Sequence, residues 1–245
     1  MRNSGTQRLI WLVAALAIGA TMPATMAVAQ SDTTQTEAAA EPAKAKKKRD
    51  PGETLYLRRT CIACHGRGGA GAIQDYPNLA GQNENYMLRQ IKDILDGKRK
   101  GSPDATGNPR SEGMRGALVN EAGERRITDD EIKAVVSWLA QQKPSAPIAA
   151  ETPIDPARLE QGAKDYEKAK CKTCHGPDGR KPKAKTYPYI AGQKAAYIVA
   201  QLTDMRDGHR DSGQSKLMKA FVKKLDDDTI GRIADYLSQI DRNQP

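Results

Sequence analysis

Apolar positions in this chain recur at helical spacing. Ile132, Val135, Val136 and Leu139 fall on one helical face. The preceding Thr128-Asp129-Asp130-Glu131 has the form of a capping box, which starts a helix by satisfying its first free N–H groups. Residues 86–95 and 197–205 show the same period, and each run stops just before a glycine, Gly97 or Gly208, where a helix C-terminus takes a left-handed residue. No stretch alternates with the period of a strand. The expected class is all-α.

The pattern also divides the chain. Residues 9–20 are apolar behind Arg2 and Arg8, and Ala27-Val28-Ala29 is a small-x-small cleavage site. Residues 1–29 therefore read as a cleaved secretory signal, since the apolar run is short of the roughly 20 residues that span a bilayer. Residues 30–50 carry almost no large apolar side chain and read as a disordered tail. Its basic run of Lys44, Lys46, Lys47, Lys48 and Arg49 offers weak contact with an anionic membrane surface. Residues 144–156 form a proline-rich linker, leaving expected domains at 51–143 and 157–245.

These two units repeat each other. At an offset of 110, Gly52-x-x-x-Tyr56 falls on Gly162-x-x-x-Tyr166. At 111, Tyr76-Pro77-Asn78-Leu79-Ala80-Gly81-Gln82 falls on Tyr187-Pro188-Tyr189-Ile190-Ala191-Gly192-Gln193, followed by Tyr86, Gln90, Gly97 and Arg99 on Tyr197, Gln201, Gly208 and Arg210. Ile132, Val135, Val136, Trp138 and Leu139 meet Ile230, Ile233, Ala234, Tyr236 and Leu237 at 98. This is duplication within one chain. Gly52 and Gly162 lie in helical segments where glycine costs about 1 kcal/mol against alanine. Their recurrence points to close contact with the last helix of each unit, at Trp138 and Tyr236.

Composition sharpens this. Only 4% of residues are aromatic, so units of roughly 95 residues need something else to fill a core. All four cysteines lie in Cys61-Ile62-Ala63-Cys64-His65 and Cys171-Lys172-Thr173-Cys174-His175. C-x-x-C-H reads as a c-type haem attachment site, with two thiols for the porphyrin vinyl groups and a histidine for the iron. A four-thiolate zinc site or a pair of redox dithiols would also use C-x-x-C twice, but neither accounts for a histidine after both pairs. Two covalently bound haem c groups are expected, the apolar filling of two small helical shells.

The second axial ligand separates a carrier from an enzyme. His209 is the only other histidine, so two bis-histidine haems are excluded. Met87 aligns with Ile198 and Met205 with Ile94, which marks both as core. Met114 and Met218 remain. The offset falls from 111 to 98 across this region, making the first unit 111 − 98 = 13 residues longer. Splitting these as 7 before the methionine and 6 after brings Met114 and Met218 into register, with the polar residues 100–113 as a loop leading into Met114.

With these motifs in place, the chain resembles a tandem of class I cytochromes c, and more closely the diheme cytochromes of the cytochrome c4 family. The resemblance covers about residues 51–242 and rests on both C-x-x-C-H-G runs, both Tyr-Pro-x-(Leu/Ile)-Ala-Gly-Gln runs, Met114 and Met218. It implies that the carbonyls of Pro77 and Pro188 accept hydrogen bonds from His65 and His175. It also implies two domains about a pseudo-twofold axis with the haems near their interface. The tail and the longer loop before Met114 depart from that pattern.

Histidine–methionine ligation closes the iron and suits electron transfer rather than substrate chemistry. The expected function is a soluble periplasmic carrier. It would link a membrane quinol-oxidising complex or a dehydrogenase to a terminal oxidase or reductase. The alternatives are a cytochrome subunit of a periplasmic dehydrogenase and a diheme peroxidase; no catalytic constellation lies outside the haem motifs. The formal charge is +9, or +7 once Arg2 and Arg8 are removed, which favours partners with acidic surfaces. An exported haem protein has no call for nucleic acid. Lys168, Lys170, Lys172, Arg180, Lys181, Lys183 and Lys185 crowd around the second haem motif and are the expected docking residues.

Overall fold

The computed structural model describes residues 48–73, 75–103, 107–147 and 152–244. The signal, most of the tail, residues 104–106 of the long loop and residues 148–151 of the linker lie outside them. Residues 47–245 form one compact unit. Its first half contains α1 (Pro51–Arg58), α2 (Cys61–His65), α3 (Glu84–Leu95), α4 (Glu112–Leu118) and α5 (Asp129–Ala140). The second contains α6 (Pro156–Lys168), α7 (Lys172–His175), α8 (Ala195–Asp207), α9 (Ser215–Val222) and α10 (Asp227–Ser238). Among the described residues the only β pairing is two isolated bridges, Pro103 with Pro109 and Val119 with Arg125.

Both halves start with the same device. Asp50 and Asp155 accept backbone hydrogen bonds from Gly52 and Ala157 at 2.7 and 2.9 Å, with Pro51 and Pro156 at the first helical position. Proline fits there because that N–H has no helical partner. Asp50 and Pro156, read from sequence as the ends of the tail and the linker, thus serve the first helix of each half. The Thr128–Glu131 capping box forms as expected, and Asp226 caps α10 in the same place. Gly97 and Gly208 take positive φ after α3 and α8. The loop before Met114 is shorter than expected, because Glu112 and Gly113 already belong to α4.

The first helix crosses the last in each half, α1 on α5 and α6 on α10. A Cβ on Gly52 would lie 2.2 Å from the Ala134 carbonyl oxygen, and one on Gly162 would lie 2.2 Å from that of Arg232. Only glycine permits that approach, and the contact at Trp138 and Tyr236 is the one expected. One turn later Tyr56 packs against Trp138 at 5.1 Å between ring centroids, and Tyr166 against Tyr236 at 5.9 Å. Aromatic pairs at this range contribute about 0.5–1.5 kcal/mol beyond area burial. Around them lie two apolar clusters, one with Met87, Ile132, Val136 and Leu139, the other with Ile198, Ile233, Ala234 and Leu237.

The halves meet through polar groups arranged reciprocally. Arg99 of the first donates to Tyr197 and Gln201 of the second at 3.0 Å each. Arg210 of the second donates to Gln90 at 2.8 Å and to Tyr86 at 3.4 Å. Buried Asp204 accepts the Ser102 N–H at 2.9 Å, and Asp93 accepts the Ser212 hydroxyl at 3.1 Å. Arg99, Gln90 and Tyr86 are the repeat equivalents of Arg210, Gln201 and Tyr197, and Asp93 is that of Asp204. The repeat identified the arginines, tyrosines and glutamines; it did not show that each reaches across to the opposite half.

Candidate haem sites

Each attachment segment is set by the backbone on both sides. Thr60 and Lys170, with φ of 57° and 61°, break the chain away from α1 and α6 just before the first cysteine. A non-glycine residue in this region costs roughly 1–2 kcal/mol. The break lets Cys61–His65 and Lys172–His175 start a fresh turn at an angle to the preceding helix. Gly66 and Gly176 close that turn at φ of 73° and 83°. Their carbonyls accept the buried Tyr56 and Tyr166 hydroxyls at 2.7 and 2.8 Å. Burial pushes both phenols up, so they stay protonated donors.

The histidines are buried. The Nδ1–H of His65 donates to the Pro77 carbonyl at 3.0 Å, and that of His175 to the Pro188 carbonyl at 3.2 Å. A carbonyl only accepts, so the proton is on Nδ1 and Nε2 keeps a lone pair for a metal. Burial lowers the pKa of both rings, partly offset by these hydrogen bonds, so the neutral, ligating form prevails at pH 7.

One continuous cleft runs across both halves. His65, Met114, His175, Met218, Cys171 and Cys174 line it, and so do the core methionines Met87 and Met205. Its walls are mostly apolar. Of its lining residues' polar atoms, Arg89 Nε, Arg210 Nε, Asn78 Nδ2 and Gln214 Oε1 are buried with no hydrogen-bond partner among the described residues. Unpaired arginine donors on an apolar slot suit a flat hydrophobic ring bearing carboxylates. The residues fit haem, whose carboxylates the arginines would hold.

The other readings of the cysteines fit less well. No three His, Cys, Asp or Glu side chains converge among the described residues, so the four thiols do not meet as a zinc site requires. A redox dithiol needs a lowered pKa. Burial instead raises the Cys61 thiol and pushes Cys171 up to about 11.

The comparisons agree with this geometry. Residues 50–143 match the cytochrome c family model, and residues 157–237 match that of cytochrome c oxidase, cbb3-type, subunit III. Cytochrome c4 of Azotobacter vinelandii is 34% identical over 185 residues, covering 72% of this chain and 82% of the relative. The chain belongs to the cytochrome c4 family. The crystal structure of reduced cytochrome c4 from Pseudomonas stutzeri superposes with a TM-score of 0.61 at 30% identity, covering 77% of this chain and 96% of the other. A thiosulfate dehydrogenase electron acceptor from Thiomonas intermedia is 31% identical, covering 73% of this chain and 77% of the relative.

The chain is thus two tandem class I cytochrome c domains with two covalently bound haem c groups, one for Cys61 and Cys64 and one for Cys171 and Cys174. It is an electron carrier working between redox proteins, not an enzyme.

The expected docking residues are not equivalent. Lys172 pairs with Glu167, and Arg180 pairs with Asp178 at 2.7 Å. Lys181, Lys183 and Lys185 are exposed. Among residues missed from sequence, Arg99, Arg210 and the two repeat glutamines Gln82 and Gln193 all line the cleft. Their signal was recurrence in the repeat, which gave no role.

Proposed function

We propose that His65 and Met114 are the axial ligands of the first haem and His175 and Met218 those of the second, with Pro77 and Pro188 orienting the histidines. What carries this reading is the pair of Nδ1–H bonds to proline carbonyls, which leaves one nitrogen per ring for iron in a cleft that Met114 and Met218 also line. Met114 and Met218 lie on equivalent short helices, each four residues before a buried apolar residue, Leu118 or Val222. Met87 and Met205 occupy positions where the opposite half has isoleucine. Each haem supplies a reversible one-electron couple; the chain keeps water from it, orients its ligands and offers its arginines to the carboxylates.

The domains are 51–143 and 157–245, joined by the 144–156 linker and preceded by a signal at 1–29 and a tail at 30–50. That arrangement places the mature carrier in the periplasm, the compartment that suits covalent haem attachment. No described helix is long and apolar enough to cross a membrane. The carrier takes electrons from a quinol-oxidising complex or a dehydrogenase and passes them to an oxidase or reductase with an acidic docking face. A dehydrogenase as donor is favoured by the relative named thiosulfate dehydrogenase electron acceptor.

Intact mass after acid–acetone extraction tests the haem reading. The expected value is the processed chain, starting at Gln30, plus two haems. One haem, or bound zinc, overturns it.

A further inference from the structure

The hydrogen bonds that orient the two histidines do not end at the prolines. The Pro77 carbonyl that accepts His65 Nδ1–H belongs to the same peptide group as the Asn78 N–H. That N–H donates to Gln193 Oε1, in the opposite half, at 2.9 Å. The second half mirrors this. The Pro188 carbonyl accepts His175 Nδ1–H, and the N–H of the same peptide, at Tyr189, donates to Gln82 Oε1 at 2.8 Å.

Both glutamines are buried and bonded through both Oε1 and Nε2. Gln193 Oε1 also accepts the Lys194 N–H at 3.0 Å, and its Nε2 donates to the Asn78 carbonyl at 2.9 Å. Gln82 Oε1 accepts the Asn83 N–H at 2.8 Å, and its Nε2 donates to the Tyr189 carbonyl at 2.8 Å. Two N–H donors aimed at one amide atom fix that atom as oxygen, so the orientation of each side chain is determined by its partners.

We infer that Gln82 and Gln193 are crossed positioning residues, each tuning the axial histidine of the opposite half through one peptide group. A peptide whose N–H is bonded has a more polarised carbonyl, and hydrogen bonds in series strengthen one another by roughly 10–30% each. A stronger acceptor at Pro77 draws the Nδ1 proton of His65 and makes its Nε2 more basic. A more basic ligand favours the ferric state. Gln193 therefore holds the first haem at a lower potential, and Gln82 does the same for the second.

The inference rests on His65 and His175 as axial ligands. The test is a redox titration of holoprotein variants, with the two haems resolved by their haem-methyl NMR signals. Gln193→Met should raise the potential of the first haem. At a fixed ambient potential, that haem's reduced-to-oxidised ratio should grow by roughly threefold to tenfold, below the 10–100-fold in metal affinity or activity that partners bonded directly to a ligand are worth. Gln82→Met should do this to the second haem alone. A residue that only holds the halves together would shift both haems in either variant; that result, or no shift in a folded variant, overturns the inference.

The unsubstituted protein gives a second measurement. In the reduced state, through-hydrogen-bond scalar coupling should link the Asn78 amide nitrogen to the Gln193 side-chain carbonyl, and Tyr189 to Gln82. Absence of both couplings also overturns the crossed arrangement. Failure of the ligand reading is separable, since it would show in the unsubstituted protein as a spectrum without low-spin, six-coordinate features.

Discussion

The segments following the two haem motifs share a backbone and differ in every exposed side chain. Ile73 N–H donates to the Cys64 carbonyl at 3.0 Å, and Lys183 N–H to the Cys174 carbonyl at 2.8 Å. A Cβ on Gly66 would lie 2.4 Å from the Gly71 carbonyl oxygen, and one on Gly176 would lie 2.4 Å from that of Lys181. These contacts place Gly71 opposite Lys181 and Ile73 opposite Lys183. The first rim carries Arg67, Gly71 and Ile73, the last 47% exposed, and the second carries Lys181, Lys183 and Lys185.

The ligand helices diverge as well, with Gly113 and Ala117 in α4 where α9 has Leu217 and Phe221. The interior of the two halves is matched, tyrosine for tyrosine and glycine for glycine, because a buried ring and its ligands tolerate little change. The rims face solvent, so their side chains were free to differ.

Replacing Met114 or Met218 by leucine should disturb this comparison most. Each variant should lose the sulfur-to-iron charge-transfer band of one haem and lower the potential of that haem well below its partner's. The same result from Met205→Leu, and none from Met218→Leu, would show that the α4–α9 equivalence is wrong.

The helix crossings come next. Gly52→Ala and Gly162→Ala should each destabilise the chain by about 1–3 kcal/mol, the range for overpacked interiors, read from denaturant midpoints at unchanged slope. Tolerance of one and not the other would mean that the matched interior is matched only in outline.

The rims give the smallest and most selective effect. Reversing Lys181, Lys183 and Lys185 to glutamate should slow transfer to an acidic partner several-fold at low salt and flatten its dependence on ionic strength. Ile73→Ser on the other rim should leave that slope unchanged. Equal salt slopes in both variants and the parent would remove the basic rim from partner recognition.

Much of this protein could be read from the chain alone, because the signals were local or periodic. The haem motifs depend on residue types a few positions apart. The capping box, the helical faces and the glycine ends of α3 and α8 depend on contacts within a turn or two. Even the crossing of α1 with α5 left a trace, since a mid-helix glycine that recurs in both halves calls for a close neighbour.

What the chain could not disclose lies at positions whose partners are about a hundred residues away. Gln82 and Gln193 were visible as repeated letters, and nothing local distinguishes a glutamine that clamps a distant peptide from one on the surface. Likewise Arg99 and Arg210 could each have turned to a nearby acid; packing the halves face to face gave them Tyr197, Gln201, Gln90 and Tyr86 instead. Side-chain type limits which bonds a residue can make, and only the assembled structure, by excluding water from the interface, decides which of them it does make.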